Sequence, residues 1–339
     1  MVSEVDQLLS QIRNETASEL LESNNSSSKH GLSVGMQPID EAIAEAGRHN
    51  ASAVIECLGL PGSGKTQIVW HICATAAMPR IVRRTDGGDA ALNGAGKHVL
   101  LMDVDGRADP CDLARHMEGI YRKAIGDGPL ADESDKAAEC ATRAAVSEAL
   151  EHVHVFTPSS TDALVATLCL VPKYLADRKI TERVVLVIDG LGNNYGFERK
   201  EASYVRRASR NATPWFRMQQ VLVDVIQRVH QQFSCLTVAT GLLMLPVSDL
   251  ASAASGPGGE GSQQRVIRVE QGEFRDHMIP RWLNVVTRSF VLENTTGRDS
   301  RGPHVATAIS VTPLDKRTHL KLEDKRLAVC VGDHGLQFS

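Results

Sequence analysis

The 339-residue chain has no uncharged apolar run of about 18 residues or more, so nothing in it reads as a membrane span. The opening "MVSEVDQLLSQIRNE", acidic and without a long apolar core, does not read as a secretory signal, so no secretory route is expected. No CxxC pair occurs. The seven cysteines (Cys57, Cys73, Cys111, Cys140, Cys169, Cys235 and Cys330) are scattered and odd in number. That excludes a disulfide framework and predicts reduced core thiols in a cytosolic or nuclear protein. Without a secretory route, Asn-x-Ser/Thr triplets such as those at Asn50 and Asn211 carry no glycan meaning. Basic excess is missing too. With 37 Lys and Arg against 41 Asp and Glu, the formal net charge is −4, so any nucleic-acid binding must come from a local patch. No internal repeat is visible. The remainder, 42% apolar and 23% charged residues, suits a soluble globular chain of one large or two ordinary domains.

What is present falls into two parts. Residues 1–30 predict a flexible arm: a short amphipathic stripe (Val5, Leu8, Leu9, Ile12), then the polar linker "ESNNSSSKHG", which cannot bury enough surface to order itself. Residues 31–339 predict a single folded domain. "ASAVIECLG" is a strand candidate. A helix is expected from Thr66 to the region of Pro79, followed by a polar, Gly-rich loop over 80–97 in which Arg80, Arg83 and Arg84 are plain surface. "HVLLMDVD" is a second buried strand. A helix then opens with Asp109 as N-cap and Pro110 in the first turn, with Gly126 as its stop. An Ala-rich surface helix is expected over 127–150, and "HVHVF" is a third strand. "RVVLVID" is a fourth strand, apolar enough to be covered on both faces. The helix over 214–233 repeats Met218, Val221, Leu222, Val225, Ile226 and Val229 at helical spacing, and "CLTVAT" is a fifth strand. The runs "WLNVVTRSFVLEN", "PHVATAISV" and "LAVCVGDHGLQF" predict antiparallel strands at a sheet edge. Alternation of strand and helix implies an α/β fold with a mostly parallel sheet and helices on both faces.

"GLPGSGKT" at 59–66 matches a phosphate-gripping loop between a strand and a helix. Gly59, Gly62 and Gly64, with Ser63 between them, let successive backbone N–H groups turn inward, and the helix N-terminus adds its dipole. Lys65 would reach the phosphates, and the Thr66 hydroxyl would ligate Mg²⁺. Asp189, ending the fourth strand, would complete the Mg²⁺ site. Asp103 and Asp105 close the second strand, and strand alternation expects them on one side. Asp105 is the candidate carboxylate for activating water. The two histidines of "HVHVF" have no third ligand nearby and are expected to be polar positions on a half-buried strand.

The succession is more specific than the loop. "GSGKT", "LLMDVD", "VFTPSSTDAL", "IDGLGNNYGFER", "TVATG" and "VGDHGLQF" come in an order that resembles RecA-type recombinases, and within them the eukaryotic recombinase paralogues. The resemblance covers residues 31–339. It implies a RecA-like P-loop ATPase core that binds ATP and Mg²⁺ through Gly59, Gly64, Lys65, Thr66 and Asp189. It also implies a nuclear role in homologous-recombination repair of double-strand breaks, within a complex of related paralogues, the D-type member being the suspected direct partner. Two departures weaken hydrolysis. Asp105 stands where hydrolysing relatives carry Glu, a shorter arm for a base that must come within about 3 Å of its proton. Leu242 stands at or next to the place of a phosphate-sensing Gln, and leucine has no hydrogen-bonding group.

The stretch after Asp189, "FERKEASYVRRASRNATPWFR", carries Arg199, Lys200, Arg206, Arg207, Arg210 and Arg217, with Tyr195, Phe197, Tyr204 and Trp215 available for stacking on bases. Its position in the resembled fold makes it the expected contact for single-stranded or branched DNA. The Gly-rich loop at 255–264 matches the family's second DNA loop. Two other classes remain open: an active DNA-dependent ATPase that uses Asp105, and a P-loop small-molecule kinase, for which "RRTDGG" is the single candidate lid and lies too early in the chain.

Overall fold

The structure, a computed structural model, describes residues 32–48, 53–83, 88–92, 94–125, 134–194, 198, 214–246, 266–269, 272–275, 278–296, 307–315, 321–322, 326–332 and 335–338. The expected arm over 1–30 and the loop over 255–264 lie outside these residues.

The first half runs α1 (Gln37–Arg48), β1 (Val54–Gly59), α2 (Lys65–Ala77), β2 (Ile81–Arg83), β3 (Asp89–Ala91), β4 (Val99–Asp103), α3 (Pro110–Ile125), α4 (Ser134–Glu151), β5 (Val153–Phe156) and α5 (Thr161–Asp177). The second runs β6 (Val185–Leu191), α6 (Pro214–Phe233), β7 (Leu236–Leu242), β8 (Met244–Pro246), β9 (Val266–Val269), β10 (Gly272–Arg275), α7 (Pro280–Val285), β11 (Arg288–Thr296), β12 (Thr307–Pro313), β13 (Leu327–Gly332) and β14 (Gly335–Phe338). Among the described residues the main sheet has nine strands in the order β14-β13-β12-β11-β1-β7-β6-β4-β5. Every pairing from β5 across to β11 is parallel; β12, β13 and β14 follow antiparallel. The fold is thus mixed α/β, with a mostly parallel central sheet flanked by helices.

Alternation along the strands explains the two layers. On β4 and β6, Leu100, Met102, Leu186 and Ile188 join one buried cluster with Leu164, Leu168 and Val171 of α5, Leu222 and Ile226 of α6 and Trp282 of α7. Their neighbours Val99, Leu101, Val185 and Val187 face the opposite cluster, with Val69 and Cys73 of α2, Leu113 and Met117 of α3 and Val146 of α4. A period of two with both phases apolar is what a sheet covered on both faces requires. Helix α2 is buried continuously from Ile68 to Ala77, so it has no polar face and runs as a central helix.

Several expectations change. The stretch 80–97 is more than a loop: β2 and β3 pair antiparallel there, with β-branched Ile81 and Val82 suiting extended backbone. Trp282–Val285 are helical in α7, opened by Pro280 at its first turn. Strand β11 is not an antiparallel edge; it lies inside the sheet, parallel to β1, and only β12–β14 form the antiparallel margin. The α6 stripe keeps Leu222, Val225, Ile226 and Val229 buried as expected, but Val221 is exposed and Val223 is fully buried. Two helices, α1 and α5, stand where the apolar pattern announces none. Pro172 lies inside α5, where proline ordinarily ends a helix, and Ser160 caps its start by accepting from Ala163 N at 3.1 Å. Of the cysteines, Cys57, Cys73 and Cys235 are buried free thiols as expected, whereas Cys111, Cys140 and Cys169 are exposed on helices. No helix among the described residues is long and apolar enough to cross a membrane.

Candidate functional site

In an open parallel sheet, ligands meet the carboxyl ends of strands where the chain order reverses. Here β1 stands between β7 and β11, and the next strand of the main sheet, β4, lies beyond β7 and β6. The residues singled out at 59–66, 103–105 and 189 all sit at those carboxyl ends.

Gly59 is the last residue of β1 and is buried; Gly62 is exposed on the turn. Ser63 returns to the interior, and its Oγ is buried without a hydrogen-bond partner. Gly64 is the N-cap of α2 at φ 86, in the left-handed region, and a Cβ there would collide with the Ile309 side chain of β12. Position and conformation together demand glycine. Lys65 Nζ donates to the carbonyls of Gly59 and Leu60, each at 2.9 Å. Burial brings its ammonium down to about 8, against the pull of Asp189 and Asp105. Thr66 Oγ1 donates to Asp189 Oδ2 at 3.4 Å.

Asp189 is held from its other side as well. Its Oδ1 accepts from Thr240 Oγ1 at 2.5 Å, and the Thr240 oxygen accepts in turn from Gly190 N at 2.8 Å. Burial raises the Asp189 carboxyl above the ordinary carboxylate range; the Thr240 hydrogen bond opposes that, and the charges of Asp105 and Asp103 add to it. Thr240 was visible only as part of "TVATG". What makes it relevant is the pairing of β7 beside β6, which no local sequence pattern encodes.

Asp103 and Asp105 do not share a strand face. Strand β4 ends at Asp103, and the chain bends through 104–106, so alternation stops there. Asp103 is buried beside its register partner Asp189, with Oδ2 accepting from Ala108 N at 2.7 Å and Oδ1 buried without a partner. Asp105 is exposed, and both its oxygens accept from Asn193 Nδ2 at 2.9 Å. Leu242 ends β7 in register with Gly59, so it does stand beside the turn, half-buried. Leu243 is the one that fills the core, with Leu58 and Val291, and its N–H donates to Gly59 O at 3.1 Å.

The donor set has a definite chemistry. A cation and a helix N-terminus adjoin a turn with an orphaned buried hydroxyl, which suits a phosphate group. The Thr66 hydroxyl and the Asp189 carboxylate are hard oxygen donors on one side of it, which suits Mg²⁺ carried with phosphates. Among the described residues no group of three or more His, Cys, Asp or Glu is arranged to hold a metal ion unaided. The histidines of "HVHVF" are half-buried polar positions, as expected: His154 bonds His98 at 3.0 Å and the Tyr174 hydroxyl at 3.0 Å.

The candidate DNA residues Arg199, Lys200, Arg206, Arg207 and Arg210 lie outside the described residues; Arg217 is exposed near the start of α6. No protein-family model matches the chain, and no curated protein matches it.

Proposed function

We propose that the chain binds ATP with Mg²⁺ through the 59–66 turn, and that it is a RecA-like recombinase paralogue working in a complex of related paralogues. The observation that carries this reading is the meeting of Lys65, Thr66 and Asp189 at the carboxyl ends of β1 and β6, with Thr66 and Asp189 bonded to each other. Lys65 would release the Gly59 and Leu60 carbonyls and place its charge on the outer phosphates. Ser63 Oγ would gain the partner it lacks. Thr66 and Asp189 would hold Mg²⁺, which neutralises phosphate charge when bound. Asp105 and Leu242 support weak or absent hydrolysis. The proposed setting is nuclear: homologous-recombination repair of double-strand breaks, beside a D-type paralogue and on single-stranded or branched DNA.

A second reading, an active DNA-dependent ATPase, is favoured by one observation. Asp105 lies close enough for its charge to act on both Lys65 and Asp189. One experiment tests both. Purified chain is titrated with a fluorescent ATP analogue and Mg²⁺, and phosphate release is followed with and without single-stranded DNA. The proposal expects saturable binding, abolished by Lys65→Ala, with little turnover. Strong DNA-stimulated release that disappears in Asp105→Asn supports the second reading; no nucleotide binding at all overturns both.

A further inference from the structure

The contact between Asn193 and Asp105 joins the exits of two neighbouring strands. Asn193 follows β6 and Asp105 follows β4, 88 positions apart in sequence. The Asn193 amide nitrogen lies 2.9 Å from each carboxylate oxygen, so it straddles the group instead of touching one corner. Gly190 makes room for this. It sits at φ 90, and a Cβ on it would come within 2.8 Å of Asn193 Nδ2 and 3.1 Å of Asp105 Oδ1. Backbone, amide and carboxylate therefore close into one packed unit that any side chain at 190 would part.

We propose that Asn193 is a positioning residue that restrains Asp105 and thereby suppresses nucleotide hydrolysis; the proposal rests on the reading of the 59–66 turn as an ATP site. In hydrolysis, the oxygen of water bonds to the terminal phosphorus as the bond from that phosphorus to the bridging oxygen breaks. ADP leaves, and Asp105 takes the proton that water gives up before passing it to solvent as inorganic phosphate departs. A general base must point an available lone pair at that proton. The Asn193 amide occupies the near side of both Asp105 oxygens and holds the short side chain toward β6. The restraint is local: Asn193 makes no hydrogen bond to Lys65, Thr66 or Asp189 among the contacts described, so the grip on nucleotide is separate from it.

The test uses the full chain. Binding of a fluorescent ATP analogue with Mg²⁺ is measured first, then single-turnover phosphate release and steady-state kcat and KM, for wild type, Asn193→Ala and the isosteric Asn193→Asp. Asn193→Asp removes the amide donor at unchanged size and repels Asp105, so it covers a failure of the alanine variant to fold. The expected result is kcat raised roughly three- to tenfold, the scale of one modest hydrogen bond. KM and analogue affinity are expected to stay close to wild type, and the gain should vanish when Asp105→Asn is added. Unchanged or lowered kcat with intact binding overturns the restraint while leaving the ATP site standing. A gain that survives Asp105→Asn, or loss of nucleotide binding in both variants, overturns it as well. Absence of analogue binding by wild type removes the ATP site itself.

Discussion

Burial lowers the Lys65 ammonium to about 8, so its charge depends on what approaches it. Without a ligand, the group begins to lose its proton as the pH rises through 8. A phosphate beside it favours the charged form, so binding above that pH must take up a proton. Calorimetry at pH 8.5 in two buffers of different ionisation enthalpy should show that uptake, and Lys65→Arg should remove it. Asp189 works in the opposite sense. Burial raises its carboxyl, and the Thr240 hydroxyl counters this by bonding the ionised form. Thr240→Val, nearly isosteric, removes the counterweight and lets the carboxyl rise further. The Mg²⁺-dependent part of nucleotide affinity, present above the Asp189 pKa and lost below it, should then fail at a higher pH than in wild type. Titrations with and without Mg²⁺ across the acid range check this; an unmoved midpoint counts against the role given to Thr240.

At the scale of elements, the helices around α2 are locked by buried polar contacts that apolar patterning did not reveal. His71 of α2 bonds the Val34 carbonyl at 2.7 Å and His116 of α3 at 3.1 Å. Burial brings both imidazoles down to about 4 from an ordinary 6.5. The folded chain therefore keeps them neutral. Their contribution is fully present above pH 6.5 and is lost as pH falls toward 4, because the unfolded chain binds protons that the folded chain excludes. Urea midpoints should fall across that window, and His116→Gln should flatten the slope. On the opposite face, Glu56 of β1 accepts from Trp282 Nε1 at 2.7 Å and from Ser289 Oγ at 2.7 Å, tying α7 and β11 to the central strand. Glu56→Ala withdraws the acceptor from a buried indole and should cost about 2–4 kcal/mol by denaturant unfolding.

These contacts also mark where the sequence stops being legible. Strands β1, β4, β6 and β7 and helices α2, α3 and α6 could be read because their apolar period is strong and their ends carry Gly, Pro or Asp signals. Helix α5 was hidden by Pro172, and the place of β11 could not be read, because a strand run does not say which neighbour it will take. In the candidate site, Gly59 to Thr66 and Asp189 announce themselves by motif. Thr240 and Asn193 enter through strand order alone, and Asp105 parted from Asp103 because the strand ends between them.

For the whole molecule, the nine-stranded sheet makes the site a property of the entire domain. The turn at 59–66 is held by Ile309 of β12 against Gly64 and by the Leu243 N–H on Gly59. Ligand binding should therefore stabilise the domain as one unit. ATP with Mg²⁺ at a hundred times its dissociation constant adds about 2.7 kcal/mol if only the folded form binds. A single upward shift of the melting transition, absent in Lys65→Ala, is the expected readout. A shift confined to part of the unfolding signal would show that the turn and the C-terminal strands unfold separately.

The position of β1 also governs how the chain comes to be folded. Both strands that flank β1 are made long after it: Val54 N donates to Thr287 Oγ1 across 233 positions. During synthesis the strand that carries the turn must wait, without neighbours, until β7 and then β11 emerge. Contacts this distant in sequence form slowly, and the exposed apolar strand is open to wrong pairing meanwhile. A stop codon anywhere between Thr66 and Arg288 would leave the whole 59–66 motif intact in the product and still deprive it of the strand it leans on. The damage from a truncated message would thus appear at the opposite end of the polypeptide from the residues deleted.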